Sequence, residues 1–145
     1  MKIKLTKRKF TKLKRRNLSL RFYLDVGMPD VSIYLNKLGF DTVTAELQEG
    51  VDVHDHEHLL RAKKQFRIFV TKDIRRVHKE RENLINCPGI IGIESSNPTQ
   101  DEIINALNAI FKWSKKWEYF YEAIWLISHD SLFIWDSYGE RHQLV

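Results

Sequence analysis

Short apolar runs that alternate with helix signals constrain this chain more than any other feature. Leu20 to Leu24 reads as a buried strand, Phe40 to Thr44 alternates as a second, Arg67 to Thr71 is a β-branched and aromatic third, and Ile90 to Ile93 is a continuous apolar fourth. Between them lie helical patterns. Met28-Pro29 opens one, with Val31, Leu35 and Leu38 as its apolar face and Gly39 as its stop. Residues 45 to 54 read as a polar loop. Residues 56 to 64 carry Leu59, Leu60 and Ala62 at helical spacing, and Ile74 to Arg81 reads as a highly charged helix. Asn86-Cys87-Pro88-Gly89 and Asn97-Pro98 are turn chemistry, and Thr99 with Glu102 forms a capping box. The spacing of Ile103, Leu107, Ile110, Trp117, Tyr121 and Ile124 predicts helix through much of 100 to 127, with room for a break near 113 to 116. Leu132 to Trp135 and Arg141 to Leu144 read as a C-terminal hairpin around Ser137-Tyr138-Gly139. Strands alternating with helices give an α/β layer fold with a mostly parallel sheet over residues 20–145.

Charge divides the chain in two. Residues 1 to 21 hold ten Lys and Arg and no acid, Arg15 and Arg16 among them. The rest holds 14 basic against 19 acidic residues, a net of −5. Residues 1–19 therefore read as a basic arm on a mildly acidic domain. Such an arm suits a polyanion, nucleic acid before membrane. The plainer reading is a solvated tail. No long apolar segment marks a secretory signal, and no run approaches the roughly 18 residues of a membrane span. A single Cys87 forms no internal disulfide, which fits a reducing, cytoplasmic setting.

Three acids stand where strand or helix signals change. Asp25 ends Phe22-Tyr23-Leu24, Asp73 follows Ile68 to Lys72, and Asp55 lies at an expected helix start. If the first and third runs pair in parallel, Asp25 and Asp73 emerge side by side at the carboxyl edge, where ligands of such sheets bind. Three carboxylates gathered there require a cation, and oxygen clusters suit hard divalent metals. Each acid also has a simpler use as a helix cap, for Asp55 and Asp73 above all. Glu46 and Glu57 are reserve acids, and Thr71 either orients a carboxylate or is an ordinary strand residue. Arg75, Arg76, Lys79 and Arg81 form either a phosphate-holding face or a solvated one. Trp113, Trp117, Tyr121 and Trp125 favour packing over base stacking. His54, His56 and His58 match no zinc spacing, and Cys87 has no obvious base for nucleophilic chemistry.

These residues, in order, resemble the short PIN-like domains related to VapC toxin ribonucleases. The likeness rests on Leu24-Asp25 before Met28-Pro29, Leu38-Gly39-Phe40-Asp41, Asp55 ahead of an apolar helix, Val70-Thr71-Lys72-Asp73 and Pro88-Gly89-Ile90-Ile91. It implies a three-layer fold with a sheet of about four strands, helices on both faces and a C-terminal hairpin. It also implies a metal-dependent endoribonuclease in which Asp25, Asp55 and Asp73 hold Mg²⁺ or Mn²⁺ to hydrolyse RNA phosphodiesters. Thr71 would support them, and Arg75, Arg76, Lys79, Arg15 and Arg16 would grip RNA. A small DNA-binding antitoxin is the implied protein partner, and the aromatic stripe offers a surface for it or for a homodimer. Two places depart from the family pattern: Val26 stands where an acid is common, and Arg75 and Arg76 stand where an acid and a Phe are common. The alternative is a degenerate PIN-like module that binds nucleic acid or serves as a scaffold.

Overall fold

A computed structural model describes residues 19–47, 55–81, 84–136 and 139–144. The basic arm, including Arg15 and Arg16, lies outside the described residues.

One sheet organises the chain. Its seven strands are β1 (Arg21–Leu24), β2 (Asp41–Thr44), β3 (Ile68–Thr71), β4 (Ile90–Glu94), β5 (Ile124–Ser128), β6 (Ser131–Trp135) and β7 (Arg141–Gln143). They lie in the order β2-β1-β3-β4-β5-β6-β7. The pairs from β2 through β5 are parallel, while β5–β6 and β6–β7 are antiparallel. Among the described residues four helices complete it: α1 (Ser32–Lys37), α2 (Asp55–Lys64), α3 (Ile74–Glu80) and α4 (Gln100–Phe111).

Side-chain alternation along the strands divides the core into two layers. Phe22, Leu24, Val70, Ile91 and Trp125 meet Leu35 of α1 and Ile103, Leu107 and Ile110 of α4. Tyr23, Phe69, Ile90 and Leu126 face the other way, onto Leu59 and Ala62 of α2 and Val77 of α3. Each fully buried large apolar side chain contributes about 1.5–3 kcal/mol relative to exposure. Helices thus cover both faces, as expected.

The sheet is larger than the four or so strands expected. The cause is residues 112 to 128. α4 stops at Phe111, a 3₁₀ turn occupies Trp117–Tyr119, and Ile124–Ser128 is a strand. Glu122 takes a left-handed φ of 56°, which no α-helix accommodates. The helical spacing of Trp117, Tyr121 and Ile124 is coincidental, and Ile124 to Ile127 is the continuous run of a central strand. That strand joins the C-terminal hairpin to the parallel sheet. The aromatic stripe is mainly packing: Trp117 and Trp125 are buried, and their indole N–H groups donate to the Ser19 and Tyr119 carbonyls at 3.0 and 2.9 Å. The Met28-Pro29 start is also later than expected, because α1 opens at Ser32 after Val31.

Candidate active site

Parallel pairing of β1 with β3, Leu24 opposite Val70, sets Asp25 beside Thr71 at the carboxyl edge. The Asp25 N–H donates to the Val70 carbonyl at 2.9 Å, which carries the ladder one residue past the strand. Its side chain is buried at 7% exposure. The Val26 N–H donates to Oδ1 and the Thr71 hydroxyl to Oδ2, each at 2.7 Å. A buried carboxyl group is tolerated where donors meet it, and these bonds fix its position. Thr71, itself fully buried, also accepts from the Asp73 N–H at 3.0 Å. One hydroxyl therefore ties together the chain at both acids.

Asp73 has a second task. It is the N-cap of α3, its Oδ1 accepting from the Arg76 N–H at 3.3 Å. Asp55 is the first residue of α2; its side chain lies outside the described residues, as do those of His54 and His56. α2 begins close to this edge, since one turn along it His58 Nδ1 meets the Tyr23 hydroxyl at 2.7 Å. His58 is fully buried against Tyr23, and its Nε2 has no hydrogen-bond partner among the described residues. Burial pushes the Tyr23 hydroxyl above its ordinary range; Arg61 opposes this, and Asp25 and then Glu46 add to it.

Two acids join the edge from elsewhere. Glu46 lies in the 3₁₀ turn after β2 (Ala45–Leu47), and its Oε1 accepts from the Gly27 N–H at 2.8 Å, in the loop that leaves Asp25. Glu94 closes β4, its Oε2 accepting from Ser128 Oγ at 2.7 Å. Glu94 was missed from the sequence, although it follows an apolar run as Asp25 does. Glu94 and Asp73 line a hollow of about 390 Å³ with Lys72, Arg75 and Ser95. Lys72 also leans over Gly27, its Nζ 3.8 Å from where a Cβ on that residue would stand. Arg76 lies over the Phe69 ring at 5.9 Å, so part of the expected phosphate-holding face packs on the core.

Oxygen donors on β2, β1, β3 and β4 thus share one end of the sheet, with cations interleaved. Among the described residues, the trio whose ligand atoms lie within 4.8 Å of one another is elsewhere: Asp136, Glu140 and His142. It sits at the far end of β6, where buried Asp136 holds His142 Nε2 at 2.9 Å.

A family model described as the Mut7-C RNAse domain matches residues 20–117. No curated protein and no solved structure matches the chain. The matched segment runs from β1 to the 3₁₀ turn at Trp117, and so contains the ends of β1, β2, β3 and β4 with Asp25, Glu46, Asp73 and Glu94.

Proposed function

We propose, since this chain belongs to the Mut7-C RNase domain family, that it hydrolyses RNA phosphodiesters at the carboxyl edge of its sheet. The observation that carries the reading is Asp25: a buried carboxylate, held by Thr71 and Val26, where two central parallel strands end. Asp25 is the fixed acid of the site. Glu46 lies beside its loop in the turn after β2, Glu94 ends β4 two strands away, and Asp73 adds its charge from the α3 cap. Asp55 belongs to the set by its place at the start of α2.

The donor chemistry fits a hard divalent ion, because every acid here offers oxygen, as Mg²⁺ and Mn²⁺ prefer. Asp25, Asp55 and Asp73 would hold it, with Glu46 in reserve, and when bound it would supply Lewis-acid polarisation of the phosphoryl group and activate water for attack. The chain's own residues do the rest. Thr71 keeps the Asp25 carboxylate in one orientation, which preserves near-attack geometry. Lys72 and Arg75 meet the phosphate, and Lys79 and the arm with Arg15 and Arg16 add sequence-independent grip. The biological form we attach to this activity is a toxin neutralised by a small antitoxin.

A second reading, a nucleic-acid-binding module without chemistry, draws on the capping bond of Asp73. One assay separates the two. Wild type is expected to cleave a mixed RNA pool with Mn²⁺ present, and Asp25→Asn to lower the rate by about 10²-fold or more. Asp73→Asn keeps the cap, since Asn caps as well as Asp, so its loss of rate reports charge rather than folding. Undiminished cleavage by Asp25→Asn would end the nuclease assignment.

A further inference from the structure

Behind Glu94 lies a second hollow, of about 410 Å³, which the cleavage chemistry does not use. Its floor is apolar, from Ala106, Ile127 and Leu132, and its rim carries Glu102, Asn105 and His129. It shares Glu94 and Ser95 with the hollow that holds Lys72 and Arg75. We propose that this hollow receives an unpaired guanine of the RNA, next to the phosphate seated at Lys72 and Arg75; the assignment rests on the ribonuclease reading above.

Charge selects the occupant. Glu94, Glu102 and Asp130 line the hollow and no Lys or Arg does, so a phosphate is repelled there. The volume falls within the range of small-ligand sites, about 300–1,000 Å³, and the apolar floor with a few polar groups is their usual composition. Glu102 and Asn105 stand three residues apart on α4, hence on one face. A carboxylate accepts two parallel N–H bonds, and among the four bases only guanine offers that pair, N1–H and N2–H, on its Watson–Crick edge. Adenine and cytosine offer one amino group and uracil one ring N–H. The Asn105 amide supplies the donor that guanine O6 needs.

His129 adds an independent observation. It opens the two-residue turn between paired Ser128 and Ser131 with a left-handed φ of 54°. Gly suits that turn position best, and His is among the few other residues that adopt it readily. Its imidazole lines the hollow and offers a flat surface on which a splayed base stacks. An arginine side chain also presents parallel N–H donors. The adjoining cationic hollow favours RNA over a basic peptide, because RNA brings an anion and a base together.

The test uses the full chain with guanosine, cytidine and N-acetylarginine amide as separate probes, read by the imidazole NMR signal that His129→Asn removes. Guanosine is expected to shift that signal at least about tenfold more tightly than cytidine, as a bidentate contact requires. Asn105→Ala and Glu102→Gln are expected to abolish the shift. The same two variants are expected to erase a preference for cleavage beside guanine while leaving the rate on guanine-free RNA unchanged. No guanosine response, or a response to the arginine amide in its place, overturns the proposal. Guanosine binding without any RNA cleavage keeps the base site and removes the ribonuclease reading, so the two failures are distinct.

Discussion

The Thr71 hydroxyl governs the site at its smallest dimension. It donates to Asp25 and accepts from the Asp73 backbone, so its loss would strand a buried carboxylate oxygen, at a cost of about 1–3 kcal/mol. Cys87 shows the opposite behaviour, a polar group with no chemical task. It is fully buried, and burial pushes its thiol up to about 11. The neutral form is the one the fold accepts, so its contribution is complete below the ordinary thiol value and is lost as pH rises through about 11. Urea titrations at pH 8 and pH 11 are expected to show wild type losing roughly 2–3 kcal/mol more than Cys87→Ala. Equal losses would mean that the thiol titrates in the fold as it does unfolded. Asp25 and Thr71 were legible in the sequence because a strand signal points its last residue at the edge. Glu46 was legible only as a reserve acid. Its place beside Gly27 comes from a turn after β2, a contact between distant residues that no local pattern encodes.

Strands and helices were legible where one signal acted alone. β1, β3, β4 and the Thr99 cap of α4 fall where apolar runs and capping chemistry put them. The segment after α4 was not legible, because aromatic residues at helical spacing compete with the continuous run of β5. Tertiary structure decides between them: β4 needs a partner, and Ile90 to Glu94 pairs along its length with Ile124 to Ser128. Gly89 holds the entry to β4 in place. Its φ is +133°, and a methyl group there would press on the Phe120 carbonyl oxygen, a backbone atom unable to yield. Gly89→Ala is therefore expected to destabilise by about 2–4 kcal/mol, a Tm drop of roughly 5–15 °C by thermal denaturation. Gly139→Ala, at φ +78° with open space around it, is the milder control. Similar losses in both would mean that backbone conformation, and not the Phe120 contact, sets the cost.

Taken together, residues 1 to 21 carry ten basic side chains and no acid, the remainder carries a net charge of −5, and Asp25, Glu46, Asp73 and Glu94 stand toward one edge of the sheet. Deleting residues 1–18 is expected to weaken RNA binding and to flatten its dependence on salt, because each released counterion sets the slope, about −0.7 per phosphate for a single strand. An unchanged slope in a filter-binding titration would assign the grip to α3 alone. No described helix is long and apolar enough to cross a membrane.

The outermost strands carry a consequence of their own. β2 and β7 are four and three residues long, and they present exposed Asp41 and Arg141 to any incoming backbone. Short, charged margins resist edge-on annealing. Strand addition is thereby discouraged along both flanks, so a twin protomer would have to dock through helical or loop surfaces.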